Sequence, residues 1–316
     1  MNYNLNQVRF TMIKHYVSAV GFLLIVPVTA LSQGSAPWSV GRTEFGHPDL
    51  QGNWEASTLT PLERAPTIQS LVISAEQAQE FAGVRLDNMP ELLDPNYDIT
   101  GALVMGTVNG EFRSSVITST ADGLMPFSAQ GLELAARQAQ RNISFDGPEQ
   151  RPRWERCLGG LGSPPIRMFF DVIPHKIIQT RDHVLIFTED QGGARIIYLN
   201  EAAKHITPPS WVGHSVGHWE DDSLVVETDN FQSIDPARGN IGRPLLIGEH
   251  SKVTERFTRS SATAILYQFT VEDPEFYTES WSGEFELNSL DGEIYEFACH
   301  EGNYALPGIL RGGKVQ

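Results

Sequence analysis

Residues 211–231 read WVGHSVGHWEDDSLVVETDNF. Two runs that alternate apolar with small or polar residues flank the acidic turn Glu220-Asp221-Asp222, a pattern that predicts a β-hairpin. Successive strand side chains point to opposite sides, so in the first arm His214, Val216 and His218 share one face and Ser215, Gly217 and Trp219 share the other. The same texture extends outward. IRMFFDVI, HKIIQT, HVLIFTE and ARIIYL precede the hairpin, and KVTERFT, AILYQFTVE, WSGEFEL and EIYEFAC follow it. All are rich in β-branched and aromatic residues and are separated by turn formers. So many candidate strands on mostly short connections predict an antiparallel meander, and a sheet of that size curls or closes to remove its edges. The expected fold is therefore mainly β, a lipocalin-like barrel or a strongly bent sandwich over residues 165–316.

Upstream, residues 34–164 read as an extended lead-in carrying two helices, packed outside the barrel and forming one compact unit with it. Ser74 followed by Gln77 makes a capping box for the first helix, and AQGLELAARQAQR, residues 129–141, predicts the second. One strand is expected around residues 111–118. Residues 1–33 have the order of a secretory signal peptide: Arg9 and Lys14, the apolar run AVGFLLIVPVTA, then the small and polar LSQGSAP. Met1 or Met12 serves as the start, with cleavage near Ser32. The apolar run is shorter than the roughly 20 residues that span a bilayer, so the expected product is periplasmic or secreted, with no stable membrane insertion.

The chain holds 23 Lys and Arg against 39 Asp and Glu, a net charge of −16, and it contains no long basic block. Nucleic acid is an unsuitable partner for such a surface, and anionic lipid offers it no attraction. A small-molecule ligand is the expected partner. Cys157 and Cys299 are the only cysteines, and export to an oxidising compartment predicts that they pair. A bridge closing so long a loop contributes up to about 4–5 kcal/mol in the chain-entropy model.

Several separate blocks, GHPDLQGNWE, RCLGGLGSPP, WVGHSVGHWEDDSLVVETDNF, ERFTR, FTVEDPEFYT and YEFACHEGNYALPGIL, resemble a widespread group of uncharacterised exported bacterial proteins. The group's hairpin reads Trp-Glu-Gly-Asp-Thr-Leu-Val-Val, where this chain has Asp221 in place of the turn glycine. Aspartate also accepts left-handed backbone. The likeness covers roughly residues 46–310 and implies a shared fold and export; it brings no activity with it.

Strand alternation also groups the candidate chemical residues. If EIYEFAC continues as a strand, Glu296 and His300 share a face, and with His214 and His218 they form an expected catalytic set projecting into one cavity. Histidine titrates near neutrality and a carboxylate tunes it, which suits general acid–base work of the lyase, isomerase or hydrolase type. His175, Gln179, Arg256, Tyr267 and Glu284 are the expected substrate-binding residues, with Arg256 able to fork a carboxylate. No cofactor is required. The alternative is a zinc or iron site at His214, His218 and His300, although HSVGH lacks the glutamate of the HExxH motif. No GxSxG elbow, P-loop or Rossmann glycine pattern is present. The competing functional class is a non-catalytic small-ligand binder or carrier barrel; a scaffold whose interior is filled by its own side chains is a third.

Overall fold

Asp221 takes φ 51° in the hairpin turn, the left-handed backbone that glycine would otherwise supply. Around it the computed structural model describes residues 38–88, 104–160, 162–190, 193–200, 208–239 and 243–313; the expected signal peptide lies outside them. In chain order the lead-in contributes β1 (Gly52–Glu55), β2 (Val72–Ile73), α1 (Ala75–Asp87), β3 (Thr107–Val108), β4 (Glu111–Arg113) and α2 (Ala129–Asn142). There follow β5 (His175–Gln179), β6 (His183–Thr188), β7 (Gly193–Tyr198), β8 (His214–Glu220), β9 (Ser223–Asp229), β10 (Ala237–Arg238) and β11 (Leu245–Leu246). The chain ends through β12 (Lys252–Arg259), β13 (Ala264–Glu272), β14 (Trp281–Ser289), α3 (Cys299–Gly302) and α4 (Ala305–Gly312).

Nine strands close a barrel in the order β1-β14-β13-β12-β9-β8-β7-β6-β5, with β5 returning to β1. The mainly β barrel is as expected, with two departures. First, β1 comes from the lead-in: Trp54 pairs with Ser289 on one side and His175 on the other. Second, the barrel is mixed, because a closed ring with an odd number of strands cannot alternate direction throughout. The one parallel seam is β7–β8, registered only at Ile197 with Ser215 and Tyr198 with Val216.

Two expected strands are absent. Residues 166–173 make only an isolated bridge, Phe169 to Ser57; the segment is bounded by Pro165 and Pro174, and consecutive aromatic residues cannot share one face of a strand. Residues 293–298 have no strand partner and are largely exposed. The cysteines do pair, with Cα atoms 5.8 Å apart across 142 residues. Both helices form. Ser74 and Gln77 make the reciprocal capping box, and Ser128 accepts from the Gly131 N–H at the start of α2. Ala78 and Ala82 of α1 pack with Leu59, Ile73 and Met105 in a small second core.

The main core includes Trp54, Ile186, Ile197, Val226, Phe257, Tyr267, Trp281 and Leu287. Within it lies a polar belt carried by five consecutive strands. Arg195 of β7 donates from Nη1 to Glu255 Oε1 on β12 at 3.0 Å, closes the pair through Nη2 and Oε2, and donates from Nε to Ser215 on β8 at 2.9 Å. Its Nη2 also reaches Thr228 on β9 at 3.2 Å, and the Tyr267 hydroxyl on β13 donates to Glu255 Oε1 at 2.8 Å. The Arg195 and Glu255 side chains are 3% and 0% exposed. A pair this deep keeps its charges only when every polar atom is satisfied, and removing one partner strands the other. Burial, followed by the neighbouring Glu255 charge, raises the Tyr267 pKa well above its ordinary value, so the phenol stays a proton donor.

Replacing Glu255 with Gln or Arg195 with Met should lower stability by about 3–5 kcal/mol, and Arg195→Met/Glu255→Leu should recover a large part of the loss. Denaturant unfolding monitored by circular dichroism measures both; near-neutral single substitutions would contradict the role given to the pair.

Candidate functional site

The parity of each strand decides where the expected site residues stand. On β8 the inward set is Ser215 and Gly217, both buried, while His218 is exposed and His214 half-buried. Gly217 has no room for a side chain, since an added Cβ would lie 2.7 Å from Ile197 Cγ2. His214 stacks on Tyr198 with ring centroids 5.3 Å apart. His218 Nε2 lies 3.0 Å from Glu220 Oε1, and Glu220 also accepts from Arg256. These two contacts, Arg256 first, hold the Glu220 carboxyl below its ordinary pKa. Four strand positions separate the histidines by about 13 Å along β8, too far for one metal ion. His300 sits in α3 and Glu296 on the exposed stretch before it. The expected set His214, His218, Glu296 and His300 therefore does not converge in a cavity. Among the described residues no group of three His, Cys, Asp or Glu is placed to hold a metal ion.

The five expected substrate-binding residues divide by the same rule. Arg256 points away from the core to Glu220, and Glu284 accepts from Arg113 at 3.2 Å and from Gln268 at 3.1 Å. Tyr267 is inside but spent on the ion-pair belt. Gln179 is buried and structural: its side chain accepts from the Leu50 N–H at 2.7 Å and donates to the Pro48 carbonyl at 2.9 Å, fastening the lead-in to β5. His175 is 1% exposed, and its Nδ1 lies 2.9 Å from Thr188 Oγ1. Burial lowers its pKa to about 4, so the ring is neutral through the physiological range.

A cleft opens instead where the lead-in meets the inward aromatic side chains of β13 and β14. Phe269, Trp281 and Phe285 form one wall, Thr58, Thr60 and Leu62 another, and the irregular segment 165–170 a third; Arg85 of α1 also contributes. Its cavity is ≈ 50 Å³ and opens to solvent. Phe169 and Phe170 stack at 4.0 Å. The third wall is anchored to the barrel: the Ile166 N–H donates to the Tyr267 hydroxyl at 2.8 Å and the Thr58 N–H to the Phe169 carbonyl at 2.9 Å. Arg238 steadies the same loop through the Pro164 carbonyl at 2.5 Å and the Trp211 carbonyl at 3.3 Å. Thr58 and Thr60 hydrogen-bond each other at 3.3 Å, and Thr60 also accepts from the Gly106 N–H, so these hydroxyls shape the wall. The consecutive phenylalanines in IRMFFDVI and the bounding Pro165 and Pro174 were the signals in the sequence that this segment lines a surface rather than continuing the barrel.

Comparison with protein-family models and with curated proteins returns no match to the chain.

A buried histidine with a depressed pKa stabilises the fold only while it is neutral. Its contribution is complete above its unfolded pKa near 6.5 and is lost as the pH falls toward about 4. Urea unfolding should show about 3 kcal/mol of acid destabilisation across that window that His175→Gln removes; an identical pH profile in the variant would contradict the burial assignment.

Proposed function

We propose that this protein is an exported small-ligand-binding barrel whose ligand enters the cleft between the β13–β14 aromatic side chains and segment 165–170. One observation carries the reading. The cleft is a concave, open setting walled by apolar and aromatic side chains, with Phe269, Trp281 and Phe285 at its floor 4%, 0% and 5% exposed, whereas the barrel interior is closed by the Arg195–Glu255 belt and hydrocarbon. Concave apolar sites with a few placed polar groups are where small molecules bind. The small cavity admits one short apolar group and leaves the rest of the ligand toward the mouth. Acid–base catalysis by His214, His218, Glu296 and His300 has lost the convergence it needed, so binding is preferred to chemistry.

Export is part of the same proposal. It is supported by the leader-like order of residues 1–33 and by the Cys157–Cys299 bridge, since disulfides persist in oxidising compartments. Among the described residues no helix is long and apolar enough to cross a membrane.

Titration with 3-phenylpropanol, followed by tryptophan emission because Trp281 lines the cleft, should give a saturable change. Met168→Trp, which fills the cleft from segment 165–170, should weaken binding at least about tenfold, a loss of about 1.4 kcal/mol. A His214→Ala/His218→Ala variant should bind as the parent does. Binding that survives Met168→Trp and disappears in the histidine variant would move the site to the outer face of β8.

A further inference from the structure

We propose that the ligand of this cleft is a small organic acid, its apolar body against the aromatic wall and its anion held by Arg85; this rests on the cleft reading above. The charge pattern of the walls carries the inference. The chain has 39 acidic residues against 23 Lys and Arg, yet the cleft is lined by two arginines and by no aspartate or glutamate. An apolar hollow that carries the unpaired Arg85 and no carboxylate in its walls has left a place for a negative charge from outside.

The hydrogen-bonding state of Arg85 points the same way. Arg85 is half-buried, and among the described residues its guanidinium makes no hydrogen bond or ion pair. Its Nε is buried and unpartnered. Arg167 is spent elsewhere, donating through its Nη atoms to the carbonyls of Gly239 and Gly160 outside the cleft, with Asp190 as its opposing charge. Buried donors on charged groups are costly to leave unmade. A carboxylate offers two oxygens with about four lone-pair sites and meets a guanidinium in planar, charge-assisted hydrogen bonds. Burial lowers the pKa of Arg85, and an anion would relieve the desolvation that it bears. Thr58 and Thr60 do not compete for it, because their hydroxyls are engaged with each other and with the backbone.

The experiment is calorimetric titration of the full chain with 3-phenylpropionate and with 3-phenylpropionamide, which share a body and differ in charge. The parent should bind the acid at least about tenfold more tightly than the amide, with the preference shrinking as salt is added. Arg85→Gln should abolish the preference by weakening the acid alone, and Arg85→Lys should restore part of it. Equal affinity for acid and amide in the parent would overturn the organic-acid proposal while leaving the cleft reading intact. Equal weakening of both compounds by Arg85→Gln would also overturn it, marking Arg85 as a structural residue. Failure of both compounds and of 3-phenylpropanol to bind would remove the cleft reading and this proposal together.

Discussion

Arg195 and Glu255 meet in the middle of the barrel, where five consecutive strands supply their hydrogen-bond partners. Two opposite charges in so dry a place are held only by complete satisfaction of their polar atoms. That requirement fixes which residues of β7, β8, β9, β12 and β13 point inward. Once Ser215, Thr228, Glu255 and Tyr267 face the axis, strand alternation turns His214, His218 and Arg256 outward. The belt and the hydrocarbon around it also close the interior, and the cleft proposed for a ligand lies outside them.

The proposed site lies where the lead-in crosses the barrel. β1 inserts between β14 and β5 and completes the ring, and the chain beyond it supplies Thr58, Thr60 and Leu62 to the cleft wall. The loop before segment 165–170 begins at the bridged Cys157 and is held by guanidinium contacts to backbone carbonyls: Arg153 at Leu158, Arg167 at Gly160 and Arg238 at Pro164. Tyr267 links the two regions. Its hydroxyl donates to Glu255 and accepts from the Ile166 N–H, so the wall of the cleft is registered against the ion pair itself.

Much of this fold was legible in the amino-acid sequence because hydrophobic periodicity reports strands well. Most of the barrel strands, both helices, the capping box at Ser74 and the cysteine pair could be read from local pattern and composition. The parity of several strands was legible too: Val253 and Phe257 flank Glu255, and Trp281, Phe285 and Leu287 alternate with Ser282, Glu284 and Glu286, which assigns Arg256 and Glu284 to the polar face. β8 resists such reading, since small Ser215 and Gly217 occupy the inner face and the conspicuous histidines the outer one. The short β1 closes the barrel through pairing on both sides rather than through its own pattern. The cleft is harder still to foresee. Arg85 reads as an ordinary helix residue, and only long-range packing brings it to Phe169, Phe269 and Trp281.

The proposed ligand sits beside the lead-in, clear of the barrel axis and of the β8 histidine face. A crystal structure of the protein soaked with 3-phenylpropionate tests this most directly. The phenyl ring is expected against Phe269, Trp281 and Phe285 with the carboxylate at Arg85. Ligand density lodged between the inner faces of the strands beside Glu255, or stacked on Tyr198 and His214 outside, would contradict it.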